Sequence, residues 1–101
     1  MPYQLVLQFP ATSLDDYDRL IQLEDSLIDE LGSDLVDGHD FGSGEFNIFI
    51  ITDDVTGTFR RAQPIVKAHP YAASMLAGYR DLEADDYVPL WPSGLTQFKV
   101  I

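Results

Sequence analysis

The stretch Leu35–Asp53, LVDGHDFGSGEFNIFIITD, constrains the fold more than any other part of the chain. Glu45 to Thr52 is its most strongly β-prone run, rich in β-branched and aromatic residues. Val36 to Phe41 precedes it, with Gly42-Ser43-Gly44 between. The pattern predicts a β-hairpin whose glycines supply the positive φ angles of a tight reversal. With residues 42–44 as the loop, Phe41 falls opposite Glu45, Asp40 opposite Phe46, and His39 opposite Asn47. Gly38 then faces Ile48, and Asp37 faces Phe49. Side chains alternate between the two faces of a strand. One face therefore carries Phe46, Ile48 and Ile50 over Val36 and Gly38, a core face on which Gly38 lets a helix approach closely. The other carries Asp37, His39, Glu45 and Asn47, with Phe41, Phe49 and Ile51 among them. A slip of one residue would exchange these sets, so the assignment depends on the loop length.

Upstream, Tyr3 to Phe9 alternates as a half-buried strand that Pro10 ends. Its Gln4 and Gln8 share the open face with Asp37 and His39 if the strands are neighbours. Ser13 opens a helix, with Asp16 in the position of a capping-box acid. Leu14, Tyr17, Leu20, Ile21, Leu27, Ile28 and Leu31 form its apolar stripe, and Gly32 is a natural stop. Asp53-Asp54 caps a second helix over about residues 55–68, with Val55, Phe59, Ala62, Ile65 and Val66 inward. Gly57 and Pro64 weaken it, and Pro64 is expected to kink it or begin a new turn. Residues 71–82 fit either a strand or a continued helix; Pro70 and Gly78 favour a strand over residues 71–79. Residues 83–86 read as a turn, 87–91 as a strand, 92–94 as a turn and 97–101 as a short edge strand. The order βαββαβ, with one or two added C-terminal strands, predicts a single α+β domain over residues 1–101 with a ferredoxin-like antiparallel sheet. Both helices cover one face and the other lies open. In outline this resembles small ligand-binding regulatory domains and dimeric α+β barrel proteins, and a shared outline does not decide chemistry.

Composition narrows the function. Seventeen acidic residues against six basic ones give a formal charge of −11. Such a surface repels nucleic acid and anionic lipid, so neither is an expected partner. Across Ser13–Leu31 seven acids stand against Arg19 alone. The absence of cysteine removes disulfide, thiol and zinc-thiolate chemistry and suits a reducing cytosol. The N-terminal MPYQLVLQF has neither a basic leader nor an apolar run long enough to span a bilayer. The expectation is a soluble cytoplasmic protein.

The candidate site is the open-face group Asp37, His39, Glu45 and Asn47, with Phe49 beside it. A histidine among carboxylates suits a general acid or base, and imidazole with carboxylates also suits a divalent ion. Polar alternation on an antiparallel face is equally the pattern of plain solvation. We therefore expect no metal and no cofactor. The acids around Asp37 do not match a calcium-loop spacing, and Gly42-Ser43-Gly44 joins strand to strand rather than strand to helix, unlike a phosphate loop. Arg80, beside Tyr79 in an apolar run, is expected to pair with Glu45 or Asp37 across the sheet. Arg60, Arg61 and Lys67 form a basic segment suited to an anion or to neutralising the acidic first helix. Tyr87, Trp91 and Phe98 read as packing residues. Small size, strong negative charge and the lack of a catalytic motif favour a non-catalytic interaction domain. An inhibitor or immunity-type binder of a basic protein is the concrete form. The alternative is a small homodimeric enzyme or ligand-binding protein, joined through the open sheet face or an edge strand, with His39 as acid or base.

Overall fold

The computed structural model describes residues 2–100, and Ile101 of the expected last strand lies outside them. The fold is α+β: two helices and a five-stranded antiparallel sheet. The strands are β1 (Tyr3–Pro10), β2 (Val36–Gly42), β3 (Glu45–Thr52), β4 (Leu76–Asp81) and β5 (Val88–Trp91), and the helices are α1 (Leu14–Leu31) and α2 (Val55–Lys67). The sheet order is β2-β3-β1-β4-β5, so the first strand made is the central one.

Helix α1 begins where its capping residue dictates. The Ser13 hydroxyl accepts the Asp16 amide at 3.1 Å, and Asp16 reaches back to the Thr12 amide at 3.0 Å. Gly32, at φ 95°, ends the helix and donates to the Ile28 carbonyl. Leu20, Leu27 and Leu31 are buried as the stripe requires, with Tyr17, Ile21 and Ile28 at its margins. Leu14, expected on the stripe, is instead 78 % exposed, because at helical spacing it falls in phase with the exposed Asp18 and Asp25 rather than with Leu20 and Leu27. The stripe is instead completed by Leu23 and, unexpectedly, Glu24.

Helix α2 is capped by Asp54, whose carboxylate accepts the Gly57 amide at 3.0 Å. A Cβ on Gly57 would lie 2.2 Å from that carboxylate, so glycine is there to let the cap close. Pro64 does not break α2, which continues to Lys67. Phe59, Ala62 and Val66 join the α1 leucines over Leu5, Leu7, Phe9, Phe46, Ile48 and Ile50, and this is the core.

Three parts of the sheet differ from expectation. The hairpin turn is Ser43-Gly44 alone, with Ser43 at φ 54° and Gly44 at φ 80°, and Gly42 pairs with Glu45. Because Ser43 takes the left-handed conformation, only two residues are needed, the geometry of a primed hairpin turn. Each partner near the tip moves by one: Phe41 faces Phe46, Asp40 faces Asn47, His39 faces Ile48 and Gly38 faces Phe49. A bulge between Val36 and Gly38 absorbs the extra residue, so Val36 still meets Ile50 in the core. His39 and Phe41 thus belong to the helix-covered face, whereas Gly38, at φ 137°, lies on the other.

The second difference is at residues 71–79, where a single 3-10 turn, Ala72–Ser74, precedes β4. The third is the C-terminal segment, which forms no edge strand over residues 95–100. It lies against the face expected to be open, where the Lys99 carbonyl accepts Gln8 Nε2 at 3.0 Å. The Phe98 ring sits on Gly78, where a Cβ would come within 2.3 Å of it. Gly78 pairs with Val6, which is fully buried although it points away from the helices.

Candidate functional site

The structure separates the residues expected to share one open-face site into two groups. His39 lies against α1 at the margin of the sheet, with 27 % of its side chain exposed. Its Nδ1 is 2.9 Å from Glu24 Oε1, its Nε2 is 3.4 Å from the Tyr17 hydroxyl, and its ring stacks on Phe46 with centroids 4.9 Å apart. A carboxylate only accepts, so His39 Nδ1 is the donor to Glu24, and the Tyr17 contact at Nε2 is the longer and weaker of the two. Tyr17 also packs edge-on to Phe41 and Phe46. The Glu24 side chain is only 9 % exposed, and its Oε2 is buried without a hydrogen-bond partner among the described residues. His39 therefore orients and partly satisfies a buried carboxylate. Neither of the two hollows described below includes it.

Glu24 was legible in principle. It falls between Leu20 and Leu27 at helical spacing, and an acid on a buried stripe needs a partner. The partner was hidden by the hairpin phase, which depends on a serine adopting a positive φ.

Glu45 and Asn47 stay on the opposite face, in company with Gln8 rather than His39. Gln8 and Asn47 are both buried, and Gln8 Nε2 donates to Asn47 Oδ1 at 3.0 Å. Gln8, Pro10, Gly44, Glu45, Ser74 and Leu76 line a shallow hollow of about 140 Å³. Glu45 Oε1 is buried there without a hydrogen-bond partner, and no described basic residue forms an ion pair with Glu45. Phe49 is half-buried on the same face. Asp37, at the bulge, is exposed and joins neither group.

Arg80 also departs from expectation. It pairs with neither Glu45 nor Asp37, which lie across β1 and beyond. Instead its Nε donates to Gln4 Oε1 at 3.1 Å, and its Nη1 donates to the carbonyls of Asp81, Leu82 and Ala84. The Tyr87 hydroxyl donates to the same Gln4 oxygen at 2.7 Å, beneath the Arg80 guanidinium. Arg80 thus fastens the turn after β4 to the central strand. The basic segment of α2 is likewise structural in part: Arg61 donates to the Glu30 carbonyl near the end of α1. A second hollow, of about 240 Å³, lies between Tyr3, the start of α2, Tyr79 and Leu90.

At the other end of α1, the Tyr71 hydroxyl donates to Asp16 Oδ1 at 2.6 Å. That bond, with the Thr12 amide, holds the Asp16 carboxyl below its usual range. The carboxylate in turn pushes the Tyr71 phenol up to about 12.

Among the described residues, no group of three or more histidines and carboxylates is placed to hold a metal ion. No described helix is long and apolar enough to cross a membrane. The chain matches no protein-family model, and neither the curated proteins nor the solved structures include a significant match.

Proposed function

We propose that this chain is a non-catalytic interaction domain that docks a basic protein through the solvent face of α1. An inhibitor or immunity-type protein acting on a basic enzyme is the concrete form. The observation that carries this reading is the state of the carboxylates. Asp15, Asp18, Asp25, Asp29 and Glu30 are all exposed along α1, and the one ion pair described among them is Asp15 with Arg19 at 3.0 Å. Asp34, Asp37 and Asp40 extend the same sign through the following loop and β2. An unneutralised row of like charge on a rigid helix raises the rate of encounter with a cationic surface and makes it salt-sensitive. The enzyme reading has less support, because both ring nitrogens of His39 face protein groups. For the homodimer, the C-terminal segment occupies part of the open face, which leaves the edge strands β2 and β5 as the surfaces for pairing. We also read the fold as ferredoxin-like, on the support of a central β1 flanked by β3 and β4.

The test is affinity capture from the source cells with the wild-type chain and an Asp18→Lys/Asp25→Lys/Asp29→Lys variant. The expected result is a basic protein held by the wild type and released by the variant. Its association rate, measured with the purified pair, should fall steeply as salt rises. Identical captured proteins for both chains would overturn the reading.

A further inference from the structure

We propose that the hollow between the end of β1 and the start of β3 is a socket for a single lysine side chain of the protein partner. This rests on the reading of a basic partner and adds a specific site to it, away from the exposed row of α1. Three observations support it. The first is chemical: Glu45 lines the hollow, has one carboxylate oxygen sealed from solvent without a hydrogen bond, and forms no described ion pair. A half-desolvated carboxylate in that state is under-compensated, and a cation brought beside it offsets the cost. Lys99, whose carbonyl Gln8 holds, makes no ion pair with Glu45.

The second observation is shape. A volume of about 140 Å³ accommodates one side chain rather than a helix or a nucleotide. Pro10 and Leu76 provide apolar wall for a methylene stem, while Glu45 receives its charged end. The third is the charge of the whole chain, −11, which draws cations and repels anions. A divalent metal is disfavoured on ligand count, because the hollow offers one carboxylate and calcium takes about six to eight oxygens. The walls are also built rather than incidental. Gln8 is tied to Asn47 and to the C-terminal segment, Ser74 Oγ to the Tyr71 carbonyl, and the Gly44 carbonyl to the Ala11 amide at 3.0 Å.

The probe is N-acetyl-lysine methylamide, titrated into the full ¹⁵N-labelled chain and followed by amide spectra. The norleucine analogue, which keeps the stem and lacks the charge, serves as control. The expected result is saturable shifts at Gly44, Glu45, Ser74 and Leu76, about fivefold weaker in affinity for norleucine and for Glu45→Gln. An unchanged spectrum elsewhere in E45Q shows that the variant is folded. Equal binding of norleucine overturns the socket and leaves an apolar dent. Lysine shifts confined to Asp18, Asp25 and Asp29 also overturn it while sparing the docking reading. Conversely, a socket that titrates as expected, with partner capture indifferent to the α1 charge reversals, removes the α1 docking reading and keeps the socket.

Discussion

The two faces of the sheet are covered in different ways. On one, α1 and α2 lay Leu20, Leu23, Leu27, Phe59 and Val66 over Leu5, Leu7, Phe46, Ile48 and Ile50. On the other, an irregular segment sets Phe98 over Gly78, next to Val6, and one glutamine holds the Lys99 carbonyl. The first cover is made of cooperative elements whose every turn contributes. The second depends on the Phe98 ring, which packs edge-on to Tyr87 with centroids 5.4 Å apart, and on the hydrogen bond from Gln8. Burial is nearly complete at both Phe46 and Phe98, but the local unit that must open to release each ring differs.

Equal truncations on the two faces give the sharpest comparison. Phe46→Ala should cost about 4 kcal/mol, the range for deleting a fully buried aromatic ring. Phe98→Ala should cost no more than about half of that, because the segment can detach while the core stays closed. Urea unfolding of both variants measures this, and equal losses would mean that the C-terminal segment belongs to the cooperative core.

Gly78→Ala should destabilise by about 2 kcal/mol, since the new methyl collides with the Phe98 ring. In the Phe98→Ala background the same change should be nearly neutral. A cost that persists there would place the strain in the sheet rather than under the ring.

On the helix face, His39→Ala should cost about 1–2 kcal/mol by stranding the buried Glu24 carboxylate. Glu24→Leu should cost less, because it restores an apolar residue to an apolar stripe. Thermal unfolding of the two variants and of their double mutant ranks these effects, and the reverse ranking would make Glu24 the stabilising partner.

The smallest effect is expected at Asp16 and Tyr71. The lowered Asp16 pKa means that its stabilising contribution is complete above the ordinary carboxylate range and is lost as pH falls through the folded value. Tyr71 works at the opposite limit: its contribution is complete below about 10, the ordinary phenol value, and is lost as pH rises through about 12. Ultraviolet titration should show Tyr71 ionising late, and Asp16→Asn should return it toward ordinary behaviour. The melting-temperature difference between wild type and D16N should vanish in acid.

The contrast between faces also explains what could be read in advance. Helix α1 was legible because Ser13, the leucine spacing and Gly32 agree with one another. The core strand Glu45–Thr52 was legible because its alternation is bounded by turn residues. The C-terminal segment has no periodicity, and its anchoring depends on a glycine that lies twenty residues earlier and leaves room for Phe98. The position of His39 depended on two compensating local events, a two-residue turn and a bulge at Asp37, and neither has a unique sequence signal. Glu45 and Asn47 were placed on their correct face because β3 is regular; His39 was not, because β2 is not.

The central position of β1 has a consequence for synthesis. Strand β1 leaves the ribosome before either of its sheet neighbours, β3 and β4, so its Leu5, Leu7 and Phe9 must wait for partners encoded some forty to seventy residues later. Both of its glutamines wait longer, Gln4 for Tyr87 and Gln8 for Lys99. The β2-β3-β1 part of the sheet can pair once Thr52 has emerged, and β4 and β5 add to the other side of β1 afterwards. Until then the acidic α1 beside the waiting strand keeps the nascent chain charged and apart from its neighbours.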